Sequence, residues 1–254
     1  MIRPDSDRDW RKWARNDPYF GVLAHPDFAG SNIERNRDAF FATGEEYVAA
    51  LLRDLEASGG SFGRSRALDH GCGTGRLTIP LSRRFEEVVA LDVAPEMLGE
   101  AAANARAVGQ ENITFLQADD ALSRATGLFD LVLSHLVLQH VPVRRGHAIF
   151  KRLIERVAPG GAFHISVSVR NDRGGWRALY WASANLPLVK GIQNRLRGER
   201  WGAPAMQMND YPLSQLVADL SNRGVQRVTL SVDPPHPRFQ TVVLAGVVAA
   251  RPRP

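Results

Sequence analysis

Residues 67–75, ALDHGCGTG, place Gly71, Gly73 and Gly75 on alternate positions directly after a short apolar run. Glycine at that density gives a main chain that turns without steric penalty and admits close approach. Asp92 ends a second apolar run twenty-one residues after Gly71. A carboxylate so placed accepts hydrogen bonds from both hydroxyls of a ribose, so the pair implies a ligand that contains a nucleoside. Two phosphate-cradling alternatives fail. A G-x-G-x-x-G turn starting at Gly71 requires Gly or Ala where the chain has Arg76, and G-x-x-x-x-G-K-[ST] has no match. Further along, His135 and His140 follow the apolar run FDLVLS at 129–134. Histidine is the neutral side chain suited to taking a proton near pH 7, and His140 is the favoured base of the two. Each also fits a hydrogen-bonded histidine at a helix start.

These residues sit in a regular alternation. Short apolar runs at 67–69, 88–92, 113–117, 129–134 and 162–169 predict strands. Helical stretches between them fall at 77–85, 95–108, 122–126 and 144–157, with Pro95 suited to a first turn and Pro159, Gly160 and Gly161 closing the last. A helix is expected over 33–55, where Phe40, Phe41, Tyr47, Val48, Leu51, Leu52 and Leu55 recur at helical spacing before Gly59 and Gly60. A helix at 212–223 and strands at 225–232 and 239–248 complete the pattern. Strands alternating with helices make an α/β fold, a mostly parallel sheet covered on both faces. In such a sheet the ligand lies beyond the carboxyl ends of the strands, where the glycines fall.

The run LDHGCGTG resembles the first motif of class I S-adenosylmethionine-dependent methyltransferases, an acid followed by G-x-G-x-G. The resemblance continues in order through VVALDVAPEML, ITFLQADD, FDLVLSHLVLQHV and VAPGGAFHIS, over about a hundred residues. It implies a Rossmann-like, seven-stranded sheet and S-adenosyl-L-methionine as cofactor, with S-adenosyl-L-homocysteine as product. It assigns Asp92 to the ribose and Asp119 to the adenine amine, with Asp120 as a substitute. Asp69 goes to the methionine portion. Gly71, Cys72, Gly73, Gly75, Val93, Met97 and Ser134 complete the expected cofactor contacts. Metal-dependent catechol methylation is disfavoured, because Ser134 and His135 stand where carboxylate ligands are expected, and no metal is anticipated. A D-P-P-Y-like motif, used in methylating base amino groups, is absent from that strand end. NDPYF at 16–20 lies before the glycine turn, and Tyr19 and Phe20 are expected in a flap over the cofactor or acceptor.

The chain reads as one structural domain in four parts: an N-terminal helical flap (1–60), a cofactor core (61–169), an inserted substrate cap (170–210) and a closing helix and strands (211–254). The net charge of +5 is concentrated in the cap. Between 170 and 201 seven Lys and Arg face Asp172 and Glu199. Trp176, Arg177 and Tyr180 are the expected acceptor contacts there, on one of two short amphipathic helices with basic flanks. The expected partner is an anionic small molecule or glycan bearing a hydroxyl, and residues 175–200 also suit an anionic membrane surface. An N-methyl acceptor is the alternative chemistry. RNA is disfavoured because no separate basic recognition module is evident outside the cap. The segments WARNDPYFGVL, FFATGEEYV, SHLVLQHVP and QMNDYPLSQL resemble bacterial methyltransferases, many encoded near glycan or secondary-metabolite genes. The charged start, the single cysteine and the lack of a long apolar window predict a cytoplasmic protein, as monomer or homodimer.

Overall fold

The computed structural model describes residues 6–171, 206–232 and 239–250, together with Val189. The expected cap helices, and with them Trp176, Arg177 and Tyr180, lie outside those residues.

Seven strands form one sheet in the order β3-β2-β1-β4-β5-β7-β6. They are β1 (Arg66–His70), β2 (Glu87–Asp92), β3 (Ile113–Gln117), β4 (Phe129–Ser134), β5 (Val157–Asn171), β6 (Val228–Val232) and β7 (Phe239–Val247). The first five run parallel, and β7 is antiparallel to both of its neighbours. After β3 the chain crosses back to lay β4 beside β1, so the order reverses between β1 and β4. A crevice opens at such a reversal, past the carboxyl ends of the strands.

The central strands are near-continuous apolar runs because both sheet faces are covered. On one face Val48, Leu51, Leu52 and Leu55 of α3 (Ile33–Gly59) and Leu81 of α4 (Thr78–Ser82) pack on Ala67, Leu131 and Leu133. Their side of the helix is the one predicted from the 3.6-residue spacing, and Gly60 at φ 83° ends the helix. On the other face Ile149, Phe150 and Leu153 of α6 (Val143–Glu155) and Leu216 and Leu220 of α7 (Leu213–Asn222) meet Leu68, Val132 and Phe163. Between β2 and β3 runs α5 (Pro95–Ala107), its first turn opened by the expected proline. Helices α1 (Ser6–Asn16) and α2 (Pro18–Val22) precede α3, and α1 packs on α5 through Ala14 and Met97.

The predicted helix at 122–126 does not form. Ser123 donates its backbone N–H to Oδ1 of Asp119 and its hydroxyl to Oδ2, and Leu122 adopts φ 50°. The carboxylate thereby captures groups that a helix would need, and a left-handed residue interrupts any helical run. Two further differences are smaller. Strand β5 begins at Val157 rather than 162, taking in Pro159, Gly160 and Gly161 with an irregular register against Phe129 and Leu131. The predicted strand 225–232 starts at Val228.

Candidate active site

The glycine turn follows β1 directly. Gly71, Gly73 and Gly75 all lie at positive φ, at 78°, 53° and 90°. Gly71 and Cys72 donate their N–H groups to the Leu91 carbonyl, which ties the turn to β2. Close approach to this backbone is made by the chain itself: a β-carbon on Gly71 would stand 2.2 Å from Cγ2 of Val137, and one on Gly73 2.3 Å from Cγ2 of Val22. The turn is therefore gripped between α2 and the segment after β4.

Asp92, at the end of β2, accepts from the Gly73 N–H at 3.0 Å and from the Ala94 N–H at 2.9 Å. Burial raises its carboxyl to about 6 against those hydrogen bonds. Asp69 is more deeply buried than Asp92, accepts from the Thr78 hydroxyl at 2.6 Å, and is raised to about 6 by the same desolvation. Cys72 is buried and its thiol is pushed up by desolvation and by the carboxyls of Asp92 and Asp69. It stays protonated and fills space.

A cleft of about 980 Å³, counting its open mouth, spreads from this turn. Asp69, Gly71, Cys72, Gly73, Asp92, Val93, Met97, Asp119, Asp120, His135 and His140 all line it. The sequence-assigned cofactor residues thus converge, with two exceptions. Gly75 is not part of the lining and packs toward Ala101. Ser134 is fully buried, its hydroxyl 3.1 Å from Nδ1 of His70. Asp120 is paired with Arg145 at 2.8 Å from each carboxylate oxygen, and Asp119 caps the turn at Ser123. Tyr19 and Phe20 are likewise absent from the lining. The Tyr19 hydroxyl donates to Glu100, its ring packs edge-on against Phe40, and Phe20 packs against Trp13. They hold the N-terminal helices in place.

On the far side of the cleft stand the histidines. His135 follows β4, and Leu136 after it is held at φ 58°, its N–H donated to the Ser166 hydroxyl at 2.6 Å. A non-glycine residue kept left-handed stores strain that the surroundings must enforce, here at the exit of β4. Nδ1 of His135 meets the Tyr47 hydroxyl at 2.8 Å. His140 closes a 3-10 turn, Leu138–His140, anchored by the Tyr211 hydroxyl, whose single proton is shared between the carbonyls of Leu138 and Val141. Its Nδ1 lies 2.6 Å from the Gln207 carbonyl. A carbonyl only accepts, so Nδ1 carries the proton and Nε2 keeps a lone pair. Burial holds the His140 ring down at about 4, and holds His135 well below the usual range with help from the Arg76 charge. Both imidazoles are neutral at physiological pH.

Sequence reasoning did not find several cleft residues. Trp10 of α1 lies edge-on to His140, with ring centroids 4.9 Å apart. Arg145 donates to both Asp7 of α1 and Asp120, and latches that helix over the opening. Arg76 is buried with its Nε unpartnered among the described residues. Trp10 and Asp7 sit in a segment whose charge masked its amphipathic face. Arg76 was visible only as the residue that broke a dinucleotide motif. Among the described residues no three His, Cys, Asp or Glu side chains gather as metal ligands.

The strand order, the glycine turn after β1 and the acid closing β2 define the class I S-adenosylmethionine-dependent methyltransferase fold. Residues 67–161 match the model of the methyltransferase domain. A curated relative, trans-aconitate 2-methyltransferase of Deinococcus radiodurans, is 34% identical over 139 residues, 54% of this chain and 50% of that one. The chain thus spans about half the length of that relative. Magnesium protoporphyrin IX methyltransferase from Synechocystis PCC 6803 with bound S-adenosylhomocysteine superposes at TM-score 0.61 with 18% identity, covering 96% of this chain and 100% of that one. An N-methyltransferase of Bradyrhizobium japonicum WM9, also with S-adenosylhomocysteine, gives 0.58 at 17% identity, covering 96% and 98%.

Proposed function

We propose that this chain transfers the methyl group of S-adenosylmethionine to a hydroxyl of a small anionic metabolite or glycan. The observation that carries the reading is the pair of neutral imidazoles, half-buried His135 and buried His140, on the cleft wall opposite the glycine turn. The turn and Asp92 fit the nucleoside: Gly71 and Gly73 line the cleft beside a half-buried carboxylate whose oxygens retain accepting capacity after binding Gly73 and Ala94. When bound, S-adenosylmethionine supplies an electrophilic methyl group on a positively charged sulfur.

The protein's share is alignment and proton removal. Holding the acceptor in line is worth roughly 7 to 11 kcal/mol. His140 presents a lone pair at Nε2, fixed by its bond to Gln207, and takes the hydroxyl proton directly or shares that task with His135. The charge balance favours transfer to a neutral base, because the cation lost at sulfur reappears as imidazolium in the same cleft. Arg76 supports an anionic group on what the cleft takes, since its buried guanidinium lacks a full set of partners among the described residues.

The test is incubation with methyl-labelled cofactor and a bacterial extract separated into glycans, lipids, RNA and small metabolites. Label should enter hydroxyl-bearing small metabolites or glycans, and His140→Gln should cut incorporation about 100-fold while calorimetric binding of S-adenosylhomocysteine is unchanged. Label confined to RNA, or no binding of the homocysteine product, removes the reading.

A further inference from the structure

Inside β5, a strand enclosed on both faces, stands another buried imidazole. His164 is 8% exposed, on the face covered by α3. Burying an imidazole costs free energy unless it is hydrogen-bonded, and its partner is specific. Nε2 of His164 lies 2.8 Å from the Tyr47 hydroxyl, and the same hydroxyl lies 2.8 Å from Nδ1 of His135. One phenol oxygen on α3 therefore joins an imidazole on the cleft wall to an imidazole sealed beneath the helix. A phenol has a single proton, so between two neutral rings it donates to one and accepts from the other.

We propose that Tyr47 and His164 form a proton relay behind His135, carrying inward the proton that His135 takes from the acceptor hydroxyl. The proposal rests on the methyl-transfer reading above. At rest Nδ1–H of His135 donates to the Tyr47 oxygen, and the Tyr47 hydroxyl donates to Nε2 of His164. That direction leaves a lone pair on Nε2 of His135, the favoured arrangement beside the guanidinium of Arg76, which also borders the cleft. As the acceptor oxygen bonds to the methyl carbon, the carbon–sulfur bond breaks with its electron pair left on sulfur. The hydroxyl proton goes to Nε2 of His135, the Nδ1 proton to Tyr47, and the phenol proton to Nε2 of His164. Positive charge then rests on His164, while His135 and Tyr47 are neutral. Arg76 repels a proton held at His135, whereas burial alone governs His164. The path run backwards returns the proton to the open cleft after the products leave. Tyr47 and His164 are positioning residues here, and of the three only His135 meets the acceptor.

Two-bond proton–nitrogen spectra of the full chain labelled with 15N-histidine read the tautomers directly. His135 and His164 should both show the proton on Nδ1, against the Nε2–H form that predominates for free histidine. Tyr47→Phe should return at least one of them to Nε2–H, while His140, held by Gln207, stays Nδ1–H and reports an intact fold. With the acceptor found by the labelled screen, Tyr47→Phe should lower kcat about tenfold or more with unchanged KM for S-adenosylmethionine. An Nε2–H signal at either ring of the wild type, which requires no variant to fold, overturns the relay. Turnover of Tyr47→Phe within about twofold of wild type overturns it too and leaves methyl transfer standing. Failure of the labelled screen overturns the transfer, and the relay's catalytic role with it, whatever the tautomers.

Discussion

Lowering the pH from 7 to 4.5 should destabilise the fold steeply, and the sign follows from which buried groups change charge. His70, His140 and His164 are each held at about 4 by burial, and His135 is shifted in the same direction. In the unfolded chain each takes a proton near 6.5, so each contributes stability above that pH which is lost as pH falls toward 4. For a ring moved from 6.5 to about 4 this is about 3 kcal/mol. Asp69 and Asp92 act oppositely. Raised from 3.8 to about 6, their carboxylates cost stability above pH 6, and that cost is relieved as they protonate. Near pH 5 unfolding thus takes up about four protons at the histidines and releases about two from the aspartates. The net uptake of about two protons gives a slope of about 2.7 kcal/mol per pH unit, with stability rising as pH rises. Urea unfolding followed by circular dichroism at pH 4.5, 5, 5.5, 6 and 7 measures the slope. His70→Asn, which keeps a partner for Ser134, should remove about one proton from it. A stability that is level or rising on acidification through this window would refute the assignment of the four rings as held neutral.

Gly71→Ala should destabilise by about 2 to 4 kcal/mol in urea unfolding, from the left-handed backbone and the 2.2 Å encounter with Val137. Adding Val137→Ala should recover the packing part alone, and a loss under about 1 kcal/mol in the single variant would mean that the turn yields easily. Arg145→Ala should release α1 from the cleft mouth and speed dissociation of S-adenosylhomocysteine in stopped-flow by about fivefold, corresponding to about 1 kcal/mol for an ion-pair network at the surface. Wild type in 1 M salt should approach the variant, because screening weakens the same contacts, and an unchanged rate in both would show that α1 is no gate.

The core of the fold was legible because its signals are local. Continuous apolar runs marked β1 to β4 to within a residue, and the helical period of α3 marked its buried side. The helix expected at 122–126 failed because a side chain, Asp119, competed for backbone groups that propensity assigns to the helix. That Gly71, Gly73 and Asp92 meet on one cleft was also legible, since glycine turn and acid are close in sequence. The relay proposed behind His135 was not. Tyr47, His135 and His164 lie on α3, the end of β4 and β5, and meet only after the strands are stacked. Tyr47 occupied a regular apolar position of the helix, so periodicity assigned it to packing. His164 offered a signal, a polar ring in a strand otherwise buried, that went unused.

The placement of β7 imposes a schedule on biosynthesis. It is the last described strand to leave the ribosome, yet it lies in the interior of the sheet, between β5 and β6. Until it arrives, the nascent chain presents the long hydrogen-bonding border of β5 unpaired, and β6 has nothing to zip onto. An open border of that kind recruits strands from neighbouring molecules. Chains cut short before residue 239 should therefore clump rather than linger as half-built monomers.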